Sequence, residues 1–119
     1  MPNPHKVTIY RAGDDVSSIV AQAVADSGLH GKRKIFIKPN LSHPEYLPGV
    51  VTSPQVMHQL VGLLRNGNSE VVVGESNGFN YPCWTAFDKT GMQKAVESAG
   101  GKAINLSEDK VVEVKFPDG

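Results

Sequence analysis

Three consecutive valines, Val71 to Val73, place the strongest constraint on how this 119-residue chain folds. A short, unbroken run of β-branched residues is typical of a strand that is buried on both faces. Strands of this kind occur in parallel sheets that helices cover from both sides. The chain length fits one domain with a single core. We therefore predict a single α/β domain over residues 1–119, built around a strand at Glu70–Val73.

The rest of the chain alternates between strand-like and helix-like segments. Alternating apolar patterns predict four further strands, at residues 7–10, 34–38, 103–106 and 111–116. Helical spacing and capping residues (Gly13-Asp14-Asp15 for the first) predict helices over residues 15–27, 54–66 and 84–99, the last broken near Thr90-Gly91. This order predicts a three-layer α/β/α, Rossmann-like fold with a mostly parallel sheet of four to five strands. The last strand could form an antiparallel edge.

Charge composition argues against two classes of partner. Twelve basic residues balance twelve acidic ones, so the formal net charge is zero. Broad nucleic-acid or membrane surfaces depend on excess Lys and Arg, and we predict neither partner. A net charge near zero also removes one defence against self-association, which leaves a homodimer open.

The single cysteine, Cys83, limits cofactors and indicates a compartment. One cysteine cannot form an intramolecular disulfide or supply the cysteine set of an iron–sulfur cluster, so we predict no cofactor and no metal carried by this chain. A free thiol suits a reducing environment. No apolar run approaches the roughly 20 residues that a membrane helix needs, and no signal-peptide pattern follows Met1. We expect a cytoplasmic protein.

The first candidate site loop follows the strand at residues 34–38. Lys38 and Asn40 flank Pro39, which fixes its own backbone and keeps the preceding residue extended. Lys38 could pair with an anion, and Asn40 could bond a ligand or a neighbouring loop. Equally, Asn40 could cap a turn while Lys38 ends a solvated strand.

Two further segments complete the candidate site. At Thr52-Ser53-Pro54 a helix begins, and its unpaired N–H groups could bind a phosphate or carboxylate, although plain capping by Ser53 explains the same sequence. In the loop at residues 74–78, Glu75, Ser76 and Asn77 could act as base, ligand or substrate contact, or simply form a polar turn. The glycine spacing matches no nucleotide-binding fingerprint.

These segments are expected to converge, because the carboxyl ends of neighbouring parallel strands face one crevice. The predicted ligand-binding residues are Lys38, Asn40, Thr52, Ser53, Glu75, Ser76 and Asn77. No catalytic residue is assigned. His43 and Glu45 could join a metal shell but lack a third ligand. Cys83 could be a reactive thiol at a helix start or a small buried residue beside Trp84.

The order of four motifs resembles the family called "domain of unknown function 362". They are Ile37-Lys38-Pro39-Asn40-Leu41, Thr52-Ser53-Pro54, Val71-Val72-Val73-Gly74-Glu75-Ser76 and Ala86-Phe87-Asp88-Lys89-Thr90-Gly91. The resemblance covers residues 7–116 and implies that this chain is the N-terminal portion of a longer family domain, with a naturally short version of that domain as the alternative. It also implies an association with ferredoxin-like iron–sulfur modules and hence a redox or metal-related role.

Two hypotheses about function follow. The first is a ligand-binding or catalytic half-domain with an anion or metal-ligand site at the strand ends. The alternative is a non-enzymatic interaction module that docks on the remainder of its family domain or on a ferredoxin-like partner, or that self-associates. Whether the protein is an enzyme is left open by the sequence.

Overall fold

The computed structural model describes residues 5–11, 13, 15–29 and 31–117 as an α/β structure with a parallel sheet. The elements in chain order are α1 (Val16–Ser27), β1 (Lys34–Ile37), α2 (Pro54–Asn66), β2 (Glu70–Glu75), α3 (Cys83–Lys89), α4 (Met92–Ser98), β3 (Lys102–Asn105) and a 3-10 turn (Leu106–Glu108). The sheet has the order β1-β2-β3. The predicted α/β class and parallel sheet are confirmed.

The parallel register brings the three strand ends to one edge. Lys34 pairs with Glu70 and Ile37 with Val73 between β1 and β2. Glu75 pairs with Asn105 where β2 meets β3. Since α2 connects β1 to β2, and α3 with α4 connects β2 to β3, the loops after all three strands open on the same side.

Capping residues set the helix boundaries close to those predicted. The Asp15 carboxylate accepts from the Ser18 N–H at 3.0 Å and begins α1, whereas Asp14 lies outside the described residues. Ser53 caps α2, and Pro54 occupies its first turn. The predicted break in the third helix is also present. Gly91 adopts φ 78°, a left-handed conformation that favours glycine, and separates α3 from α4.

The core lies between one face of the sheet and the helices. Ile35, Val71, Val73 and Ala103 point to this face and are buried. Opposite them, α2 packs on β2 and α4 on β3, while α1 packs on α2. Phe87, Met92 and Val96 are fully buried within this layer. None of the helices described is long and apolar enough to span a membrane.

The opposite face of the sheet is open. Phe36 is 53% exposed, and Val72 and Ile104 are half-buried. A second helical layer is therefore not seen among the described residues. The predicted burial of the valine run on both faces fails at Val72, because no described element covers this side.

Two predicted strands are not formed. Residues 7–10 and 111–116 belong to no strand, so the described sheet has three strands and not four to five. Their apolar side chains are exposed, as Ile9 at 90% and Val111 at 95% illustrate. Strand propensity is local, but a strand also needs a partner for its backbone, and neither segment has one within the described residues.

Two glycines that differ in the room available for a Cβ test the packing of α2. A Cβ on Gly101 would lie 2.8 Å from Val61 Cγ1 and 3.3 Å from the Val96 carbonyl oxygen. We expect Gly101→Ala to lower the free energy of unfolding by about 1–3 kcal/mol through overpacking. The measurement is urea unfolding followed by the fluorescence of the single tryptophan, Trp84.

Gly62→Ala is the matched control in the interior of α2. A Cβ there meets no atom within 4 Å, so alanine should raise the free energy of unfolding by about 0.5–1 kcal/mol through helix propensity. Equal effects of the two alanines would contradict the close approach of Gly101 to α2.

Candidate functional site

An ion pair joins the ends of β1 and β2. Lys38, the residue after β1, places its Nζ 3.0 Å from Oε2 of Glu75, the last residue of β2. The Glu75 side chain is 11% exposed and that of Lys38 is 59% exposed. The second carboxylate oxygen of Glu75 accepts from the Ser76 N–H at 2.9 Å. The carboxylate is thus compensated by the protein, while the ammonium faces solvent.

Asn40 and Thr52 close the loop that follows β1. The Asn40 N–H donates to Thr52 Oγ1 at 2.8 Å, and the Thr52 N–H returns a bond to the Asn40 carbonyl at 3.0 Å. The Asn40 side-chain amide donates to the Val50 carbonyl and to Ser42 Oγ. These bonds use the amide donors of Asn40 inside the loop and place the start of α2 beside residue 40.

Ser53 has the capping role that its sequence position predicts. Its Oγ accepts from the Val56 N–H at 3.4 Å at the first turn of α2. Ser76 differs, because its backbone N–H is bound to Glu75 while the residue is exposed. Of the predicted residues, the structure therefore joins Lys38 directly to Glu75 and Asn40 directly to Thr52.

Asn77 connects the second loop to β3. Its Oδ1 accepts from the Cys83 N–H at 2.9 Å and from Asn105 Nδ2 at 3.1 Å. The Asn77 N–H donates to Ser107 Oγ at 3.0 Å, and the Ser107 N–H donates to Asn105 Oδ1 at 2.9 Å. The side chain of Asn77 is thus engaged in holding three segments together.

Asn105 and Ser107 were missed by sequence reasoning. Asn105 is 5% exposed and ends β3, so it occupies the same kind of position that singled out Lys38 and Glu75. A polar residue at the end of the predicted strand at residues 103–106 was the available signal. Applying the strand-end rule to this third strand would have found it.

The two glycines of the second loop have structural explanations. Gly74 lies inside β2, where a Cβ would be 2.7 Å from the ring of Phe36. Gly78 lies against the ring of Tyr81, whose hydroxyl donates to the Leu41 carbonyl at 2.7 Å and links the two loops. Both glycines therefore make room for an aromatic side chain of the protein.

His43 and Glu45 contact each other only through backbone groups of Glu45. His43 Nδ1 lies 3.0 Å from the Glu45 carbonyl oxygen and 3.1 Å from the Glu45 nitrogen. Within residues 5–11, 13, 15–29 and 31–117, no group of three or more His, Cys, Asp and Glu side chains is arranged to hold a metal ion.

Cys83 is a buried thiol next to the backbone of Glu75. It is 0% exposed, and its Sγ donates to the Glu75 carbonyl at 3.3 Å. Burial, followed by the carboxylates of Glu75 and Glu108, raises the pKa of Cys83 to about 11. The environment therefore disfavours the reactive thiolate, in agreement with the prediction of a small buried residue.

Comparison with known proteins gives one match. A family model described as "Domain of unknown function (DUF362)" matches residues 35–119, which include all of the sheet described above except Lys34, the first residue of β1, and all the strand-end loops. No curated protein and no solved structure matches the chain. The first helix, α1, precedes the matched range.

The raised pKa of Cys83 predicts that its thiol reacts slowly with disulfide reagents in the folded protein. At pH 8 we expect its thiolate fraction to be about 100-fold below that of a thiol with the usual pKa of 9.0, because about two pKa units separate them. Labelling by an aromatic disulfide reagent should be slow in the folded protein and fast in urea. Rapid labelling of the folded protein at pH 8 would contradict the buried position.

The same shift has a consequence for stability. The unfolded state loses the Cys83 proton at lower pH than the folded state, since folding raises this pKa. The free energy of unfolding should therefore fall as pH rises from about 9 to about 11. Cys83→Ala should flatten this part of the pH profile in urea unfolding.

Loss of the Asn77 side chain should loosen the second loop. Asn77→Ala leaves the Cys83 N–H and the buried Asn105 amide without their acceptor, which we expect to cost about 1–3 kcal/mol of unfolding free energy. Asn80→Ala, at an exposed position in the same loop, should stay within about 0.5 kcal/mol of wild type. Urea unfolding measures both, and an Asn77→Ala variant as stable as Asn80→Ala would refute this role.

Proposed function

Since a family model matches more than half of it, the chain belongs to the family described as domain of unknown function, DUF362, and we propose that it binds a small anionic ligand at the carboxyl edge of its sheet. The observation that carries the proposal is the exposed ammonium of Lys38, held over this edge by Glu75. In open parallel α/β sheets, ligands bind in the crevice outside the carboxyl ends of the strands.

The ammonium of Lys38 has donor capacity for a ligand. A lysine ammonium carries three N–H donors. Glu75 Oε2 accepts one at 3.0 Å, and the Pro39 carbonyl lies at a longer 3.4 Å. With 59% of the side chain exposed, a ligand oxygen can approach the remaining donor from solvent.

The start of α2 supports the same chemistry. The Asn40–Thr52 bonds bring this helix terminus to the loop that follows Lys38. Ser53 caps the Val56 N–H, whereas the Gln55 N–H belongs to the first turn, which has no intrahelical acceptors. Such a terminus favours negative charge, so it adds to the attraction exerted by Lys38.

Glu75 limits the affinity that this site can reach. Its carboxylate repels an incoming anion and competes for the same ammonium. We therefore expect dissociation constants on the order of 1 mM for inorganic phosphate, equivalent to about 4 kcal/mol of binding free energy. An acid that also donates a hydrogen bond to Glu75 should bind more tightly.

A second candidate function, an interaction module, is favoured by the open face of the sheet. Phe36 is 53% exposed there, beside the half-buried Val72 and Ile104. The remainder of a family domain or a ferredoxin-like partner would be natural occupants of this face. An iron–sulfur connection rests on the family resemblance alone.

Replacing Lys38 tests the anion site. We expect phosphate to shift the backbone amide NMR signals of residues 38–54 and 74–78 in the wild-type protein. Lys38→Gln should weaken this binding about tenfold or more, because it removes the charge that faces the ligand. Glu75→Gln should instead tighten binding, because it removes the negative charge that repels the anion; its single amide oxygen can accept from Lys38 or from the Ser76 N–H, but not from both.

Lys34→Gln is the matched control. Lys34 lies at the opposite end of β1, has an 81% exposed side chain and is 4.0 Å from Glu70. It should leave phosphate binding unchanged. Phosphate shifts that are scattered over the surface, or that weaken equally in both variants, would overturn the proposal.

A further inference from the structure

The Lys38–Glu75 pair is a small electric dipole at the carboxyl edge of the sheet. Lys38 Nζ and Glu75 Oε2 are 3.0 Å apart, so a positive and a negative charge stand side by side. Within the described part of the chain, neither side chain has a second ion-pair partner. A ligand that reaches this edge therefore meets both charges at once.

The Glu75 carboxylate keeps acceptor capacity for a ligand. Its Oε2 accepts from Lys38 at 3.0 Å and its Oε1 from the Ser76 N–H at 2.9 Å. An ionised carboxylate offers about four acceptor sites, so two remain after these bonds. No other donor among the described residues bonds to this carboxylate, and 11% of the side chain stays exposed.

A simple anion uses only half of this arrangement. Its charge is attracted by Lys38 and repelled by Glu75, while for a simple cation the two effects are exchanged. A ligand that carries both charges can align antiparallel to the pair. Its negative end then meets Lys38 and its positive end meets Glu75, so both contacts are attractive.

The spacing of the pair selects among ligands that carry both charges. In an α-amino acid the ammonium nitrogen and a carboxylate oxygen are about 3 Å apart, because three bonds of about 1.5 Å join them. This spacing matches the 3.0 Å between Lys38 Nζ and Glu75 Oε2. Both charge-assisted contacts can then form at about 2.8 Å. A longer ω-amino acid must fold back to make both, which costs conformational freedom.

We propose that this site takes a free α-amino acid, with the carboxylate on Lys38 and the ammonium on Glu75. The Asn40–Thr52 bonds hold the start of α2 beside the loop after Lys38, and a helix N-terminus favours the carboxylate end. Peptides are excluded, because they carry their terminal charges on different residues. The inference rests on the proposed anion site and names the class of its ligand.

A ligand series on the wild-type chain tests the proposal by backbone amide NMR at about pH 6, where amino groups are protonated. N-acetylglycine keeps only the carboxylate of glycine, and glycinamide keeps only the ammonium. We expect glycine to shift the signals of residues 38–54 and 74–78, with a dissociation constant about fivefold or more below that of either analogue. 4-Aminobutyrate, whose charges lie further apart, should bind more weakly than glycine.

Glu75→Gln should act in opposite directions on two of these probes. It removes the charge that faces the ammonium, so glycine should bind about fivefold or more weakly, whereas N-acetylglycine should bind more tightly because a repulsion is lost. Lys38→Gln should weaken both. Lys34→Gln, at the other end of β1, should change neither. Urea unfolding checks that each variant is folded, and the ligand series on the wild-type chain needs no variant.

The outcomes separate this inference from the anion site on which it rests. If phosphate and N-acetylglycine shift residues 38–54 and 74–78 but glycine binds no more tightly than N-acetylglycine, the anion site stands and the amino-acid ligand is refuted. If none of the probes shifts these residues, both are refuted. Glycine binding that Glu75→Gln leaves unchanged, or 4-aminobutyrate binding as tight as that of glycine, also refutes the amino-acid ligand.

Discussion

The bond between Lys38 and the buried carboxylate of Glu75 is the interaction on which the carboxyl edge of the sheet depends. An ionised carboxylate at 11% exposure is tolerated only when its oxygens are compensated, and here one accepts from Lys38 and the other from the Ser76 backbone. The pair also joins the end of β1 to the end of β2. The loops that follow these two strands begin at the joined ends.

Asparagine side chains then hold those loops in place. Asn40 closes the loop after β1, and Asn77 joins the loop after β2 to Asn105 at the end of β3. Because both amides bond mainly to the protein, these bonds shape the loops without a ligand. Preorganisation of this kind would lower the entropic cost of the anion binding that we propose.

Sequence reasoning succeeded where a feature is local. The cap at Ser53, the break at Thr90-Gly91 and the central valine strand each follow from a few neighbouring residues. It also brought Lys38 and Glu75 together, because the strand-end rule links residues that are distant in the chain. It failed for residues 7–10 and 111–116, where strand propensity is satisfied but a pairing partner is a long-range matter. For the same reason, whether Asn40 and Asn77 contact a ligand or the protein could not be read from their positions alone.

The packing of α1 on α2 bears on which part of the structure can open locally. Val20 and Val24 are the buried residues on the inner side of α1. This helix is not part of the sheet, and it precedes the range that the family model matches. Opening of α1 would break no sheet ladder and would leave the Lys38–Glu75 pair in place. Backbone amides in α1 should therefore exchange by local opening. The free energy of this opening should be lower than that for exchange in β2, whose amides exchange only when the sheet unfolds cooperatively.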